Sequence, residues 1–166
     1  EKALRIQFFG DEKVDAILVT GDVGESAAGI ERVLRLLAQS KVPVFVIAGN
    51  SECRAEYTDG FNSAAKDFTN LVNMNKVRAV EFPETTLVSL PGYHNPSYIH
   101  CPSGCRYYKS TVDEVVRMAK ESKQPVVLVA HSQPHGASPQ ALDFAGGSGN
   151  VGDPEINRAL AEGNIA

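Results

Sequence analysis

Apolar and polar positions fall into blocks along the chain, and the period changes from block to block. "DAILV" (15–19) is an unbroken apolar run rich in branched residues, the pattern of a strand buried on both faces. In "SAAGIERVLRLLAQS", Ile30, Val33, Leu34 and Leu37 recur at helical spacing behind Ser26, whose hydroxyl suits a helix N-cap. "VPVFVIAG" (42–49) predicts a second buried strand, and "AEYTDGFNSAAKDFTNLV" a weaker helix interrupted by Gly60. Short strands at "VRAVEF" (77–82) and "TTLVSL" (85–90) flank a turn at Pro83. Residues 110–123 predict a capped helix, and "PVVLVAHS" (125–132) a third strong strand ending in a histidine. A glycine-rich loop, "FAGGSGNVGD", then leads to the helix "PEINRALAEGN", opened by Pro154 in a favoured first position. Residues 91–109, rich in proline, glycine and tyrosine, show no period and predict a long loop of the kind that carries function.

Alternating strands and helices predict an α/β domain, a mainly parallel sheet with helices packed on it. In such sheets ligands gather beyond the carboxyl ends of the strands. There the three strong strands carry Asp22, Asn50 and His131. Taken singly, these read as a helix cap, a turn residue and a core histidine. Three such side chains on one sheet edge need not converge for capping alone. A carboxylate, an amide oxygen and an imidazole form a set suited to manganese, iron or zinc. One carboxylate can also bridge two cations, and ions about 3.5–4 Å apart clamp the attacking and leaving oxygens of a phosphate ester.

"GDVGE" (21–25), "GNSE" (49–52) and "AHSQP" (130–134) together resemble the middle motifs of the calcineurin-like metallophosphoesterases. The resemblance implies a two-sheet β-sandwich flanked by helices and a dinuclear centre of two divalent metal ions (Mn, Fe or Zn). It makes Asp22 the bridging ligand, with Asn50 and His131 completing one metal's shell. It also implies hydrolysis of a phosphate ester by a metal-activated hydroxide. The family's outer motifs, Asp-x-His and Gly-His-x-His, are not in the chain. The resemblance therefore predicts a single metallophosphoesterase-like domain over 1–166, incomplete at both ends. The opening "EKALRIQFFG" would then be the helix after the first motif.

Ser51 departs from the pattern, standing where the family has a phosphate-contacting histidine. A serine hydrogen-bonds but does not titrate near neutral pH, which tilts the expectation toward a phosphodiester. His94 or His100, in the long loop, could supply a general acid, or both could be surface histidines. Glu25 and Glu52 match acidic family positions and read equally as carboxylates near helix starts. Arg106 and Tyr93, with Tyr98, Tyr107 and Tyr108, could line a substrate pocket, since arginine suits phosphate and tyrosine stacks on bases. A loop packing its own aromatics explains them as well.

Composition narrows the partners. Net charge is −4, which leaves no basic footprint for nucleic acid or for a membrane surface. No apolar run reaches the roughly 20 residues of a membrane helix. Cys53, Cys101 and Cys105 are three, an odd and sparse set for a disulfide scaffold, which points to a reducing cytoplasm. The Cys101/Cys105 pair lacks the second pair a structural zinc needs. The expected partner is a phosphate-ester small molecule or a nucleotide, with self-association open. "AHSQP" fails as a serine-hydrolase elbow because Ala130 and Pro134 replace its glycines. "GDVGES" fails as a phosphate loop because Glu25 replaces its lysine. The remaining alternative is a non-catalytic scaffold on the same fold, for protein interaction.

Overall fold

A computed structural model describes residues 14–136, 149–163 and 165. The expected helix over 1–10 and most of the glycine-rich loop lie outside the described residues. Two three-stranded sheets face each other. In the first, β1 (Ile17–Val19), β2 (Val44–Val46) and β3 (Leu71–Asn73) run parallel in that order. In the second, β4 (Ala79–Glu81) pairs antiparallel with β5 (Thr86–Leu90), and β5 pairs parallel with β6 (Val126–Ala130).

Strand alternation builds the layers. Along β2, Val44 and Val46 pack toward the helices α1 (Ala27–Ala38) and α2 (Arg54–Ala65). Phe45 and Ile47 point the other way, meeting Leu87 and Val129 of the second sheet. On that sheet's far side, Val88, Leu90 and Val126 pack with Val112, Val115 and Ile156 of α3 (Lys109–Glu121) and α4 (Pro154–Gly163). The result is helix, sheet, sheet, helix: the expected sandwich. The unbroken apolar runs of β2 and β6 arise because one face meets helices and the other meets the opposing sheet.

Several expectations need correction. The apolar run in β1 is not buried on both faces, since Leu18 is 42% exposed. The segment expected as one interrupted helix ends at Ala65, and Leu71–Asn73 is a strand held by pairing to β2. Gly60 does not interrupt α2. It lets α2 approach α1, because a Cβ there would lie 2.6 Å from the Ala27 carbonyl oxygen and 2.9 Å from Ile30 Cβ. Finally, His131 follows β6, in the second sheet, while Asp22 and Asn50 follow strands of the first. The three do not share one sheet edge. They meet because both sheets end together, where Gly92 N–H, after β5, donates to the Ala48 carbonyl after β2 at 2.8 Å.

Gly60→Ala tests the helix contact. Alanine gains about 1 kcal/mol of helix propensity, but overpacking against Ala27 and Ile30 costs about 1–3 kcal/mol. We expect a melting temperature lower by about 2–4 °C; a higher one would show that the helices separate freely.

Candidate metal centre

Asp22 takes its position from an uncommon backbone. It has φ 55°, in the left-handed region, directly after Gly21 at φ 99°. Such a conformation costs a non-glycine residue about 1–3 kcal/mol and aspartate tolerates it better than most. The turn brings the carboxylate over Gly49, where Asn50 and Ser51 N–H donate to Asp22 Oδ1 at 3.2 and 3.1 Å. Gly49 is needed for this approach, as a Cβ there would collide with Asp22 Oδ1 and lie 2.9 Å from His131 Cε1.

His131 is oriented from behind. Its Nδ1 donates to the Thr20 carbonyl at 2.8 Å, which leaves Nε2 without a proton in the neutral ring. Asn50 is oriented from the side, its Nδ2 donating to the Tyr98 carbonyl at 2.6 Å, so that Oδ1 faces inward. Asn50 Oδ1 then stands 2.9 Å from His131 Nε2, and Asp22 Oδ1 stands 3.6 Å from it. In that tautomer Asp22 Oδ1, Asn50 Oδ1 and His131 Nε2 turn lone pairs toward one another. A carboxylate, an amide oxygen and an imidazole suit a divalent metal in donor type. Asp22's side chain is 43% exposed against 17% for His131, so the cluster opens to solvent on the aspartate side. Among the described residues no group of three or more His, Cys, Asp or Glu could hold a metal; the third member of this cluster, Asn50, is an amide.

Glu52 holds the two ligand loops together. It is 1% exposed, accepting from Val23 N–H through Oε1 and from Gly49 N–H through Oε2, the latter at 2.8 Å. From the sequence it reads as an acidic family position or a carboxylate near a helix start, marked only by its place after Asn50. Its partners are Val23, on the loop after β1, and Gly49, in its own turn. Glu25, by contrast, is exposed.

Ser51 Oγ lies 3.4 Å from His100 Nδ1. His94 Nδ1 lies 3.3 Å from Ser132 Oγ, and its ring stacks on Tyr93. Tyr93 is 5% exposed, donates its hydroxyl to the Val151 carbonyl at 3.1 Å, and turns its ring edge-on to His131. Arg106 is exposed, with its guanidinium over the Tyr108 ring and Nε donating to the His94 carbonyl. Tyr107 is a packing residue: its hydroxyl donates to buried Asp153 at 2.8 Å, and burial pushes its pKa up. A cleft of about 240 Å³ lies between His94, Arg106, Tyr108, Lys109 and Asp153.

The cysteine reading needs correction as well. Cys53 and Cys101 form a disulfide across 48 residues, and Cys105 is the free thiol. Spacing could not show this, because the bond depends on the long loop folding back over the "GNSEC" turn.

Residues 2–165 match the model of the calcineurin-like phosphoesterases, and the chain belongs to that family. A solved crystal structure superposes with TM-score 0.73 at 12% identity, covering 95% of this chain and 72% of its own. The crystal structure of TT1561 of Thermus thermophilus superposes with TM-score 0.64 at 14% identity, covering 93% of this chain and 68% of its own. At such identities these likenesses speak for the fold. None of the curated proteins compared with the chain matches it.

Glu52→Gln keeps the shape but turns an NH₂ toward one of the two backbone donors. We expect a loss of about 1–3 kcal/mol in urea unfolding, together with weaker Mn²⁺ binding. Unchanged stability would show that the two loops hold their places without the carboxylate.

Proposed function

We propose that the chain hydrolyses a phosphate ester, a phosphodiester in preference to a monoester, with two divalent cations at the Asp22 centre. The supporting observation is the meeting of Asp22 Oδ1, Asn50 Oδ1 and His131 Nε2 at one end of the two sheets. Cations bound there supply water as a nucleophile at neutral pH and neutralise charge developing on the phosphoryl oxygens. Asp22 is suited to the shared position, since it brings the only formal charge among the three ligands and stands on the side of the cluster that opens to solvent.

The surrounding residues hold and orient. Asn50 and Ser51 N–H fix one carboxylate oxygen of Asp22. The Ser51 hydroxyl hydrogen-bonds without titrating, which favours a leaving group less dependent on protonation. His100 beside Ser51 and His94 beside Ser132 are the candidates for meeting a leaving oxygen. Arg106, exposed beside His94, suits a phosphate or nucleotide arm of the substrate, and Tyr93 shapes the floor beneath His131. A net charge of −4 supports a small ester rather than nucleic acid. No described helix is long and apolar enough to cross a membrane. The argument for a cytoplasmic setting rested on three reduced thiols, and the Cys53–Cys101 bond removes that support.

Hydrolysis of an aryl phosphodiester by the full-length protein tests the proposal. We expect turnover with Mn²⁺, its loss to excess chelator, and a fall of at least about 100-fold in Asp22→Asn, the scale of one transition-state interaction. Turnover that survives chelator, or an Asp22→Asn variant as active as wild type, would overturn it. No turnover with any divalent metal would favour the scaffold.

A further inference from the structure

The segment around Tyr98–Gly104 is fastened to the turn that carries Asn50. Asn50 Nδ2 donates to the Tyr98 carbonyl at 2.6 Å, and His100 N–H donates to the Asn50 carbonyl at 3.0 Å. Cys53 pairs with Gly104 in an antiparallel bridge and is bonded to Cys101. These contacts settle a choice that an asparagine otherwise leaves open. An amide can present either its oxygen or its NH₂. Only while the Tyr98 carbonyl engages Nδ2 does Oδ1 face His131 Nε2 and Asp22. Turned over, the amide would donate to those same lone pairs and close the site to a cation.

We propose that the Cys53–Cys101 disulfide is a redox-controlled latch on the metal centre, an inference that rests on Asp22, Asn50 and His131 being cation ligands. Oxidised, the latch keeps the Tyr98 carbonyl on the amide and Asn50 oxygen-inward. Reduced, it releases the segment, the amide turns, and cation affinity falls.

The reductant is a dithiol. One of its thiolates attacks Cys101 Sγ, which is partly exposed between His100 and Pro102, themselves exposed. The sulfur–sulfur bond breaks and Cys53 leaves as a thiolate. The reductant's second thiol then attacks its own first sulfur and displaces Cys101, and the dithiol's two protons end on Cys53 and Cys101. Two electrons have moved from the dithiol, now a disulfide, to the protein, which holds two thiols. Cys53 is the N-cap residue of the twelve-residue α2, where the helix terminus favours a leaving thiolate. Cys105 does not divert the exchange, since burial pushes its thiol pKa up and keeps it protonated.

The test is the Mn²⁺ dissociation constant of the full-length protein, read from the electron paramagnetic resonance of free Mn²⁺. Oxidised protein, protein reduced with a dithiol and then desalted, and reoxidised protein are compared, with thiol content checked by mass. We expect reduction to weaken binding about tenfold or more and reoxidation to restore it. C53S/C101S should bind like reduced protein and ignore the oxidant. If that variant misfolds, the reversible reduction carries the comparison, with circular dichroism reporting the fold. Asn50→Asp, which presents oxygen either way round, should lose its sensitivity to reduction. Equal affinity in oxidised and reduced wild type, or an Asn50→Asp protein as sensitive as wild type, overturns the latch. Oxidised wild type binding no better than Asp22→Asn overturns the ligand assignment itself, and the latch with it.

Discussion

His131 donates a hydrogen bond from Nδ1–H to the Thr20 carbonyl, and much of the site follows from that bond. It turns Nε2 into an acceptor aimed at two other acceptors, the Asn50 amide oxygen and the Asp22 carboxylate. A protein left to satisfy its own polar groups would place a donor there. Here the surroundings work the other way. The Tyr98 carbonyl takes the Asn50 NH₂, while Glu52 takes the backbone N–H groups of the flanking turns. These bonds occupy several nearby donors, while Asn50 and Ser51 N–H turn to Asp22 Oδ1 itself.

That arrangement constrains the backbone. Gly21 and Gly49 must be bare for the Asp22 turn and the Asn50 turn to touch, since a Cβ on Gly21 would lie 2.5 Å from Gly49 Cα. Asp22 accepts a left-handed conformation for the same reason. Strain of this kind persists only where the surroundings over-determine it. Buried Glu52 bridging both turns, and Gly92 tying the end of β5 to that of β2, provide the determination. The sandwich itself serves the site by ending both sheets at one level, so that Asp22, Asn50 and His131 meet from separate sheets.

The strand ends were legible because burial on two faces writes a continuous apolar run, and the first polar residue after it stands at the rim. Val44–Val46 and Val126–Ala130 are of this kind. Leu71–Asn73 was not legible, since three residues carry no period and are a strand only because β2 pairs with them. Gly60 misled for a related reason. Alone it lowers helix propensity, but its purpose lies in the neighbouring helix. Glu52 and the Cys53–Cys101 bond were hidden in the same way. Glu52's partner Val23 is 29 residues away and Cys53's partner Cys101 is 48, and only the folded chain brings them close.

Anomalous diffraction from crystals of the full-length protein grown with Mn²⁺ tests the central claim most directly. The account predicts a manganese peak bounded by Asp22 Oδ1, Asn50 Oδ1 and His131 Nε2, with the Asn50 NH₂ still on the Tyr98 carbonyl. A site free of manganese at saturating concentration, with the Asn50 amide turned to donate to His131, would contradict it.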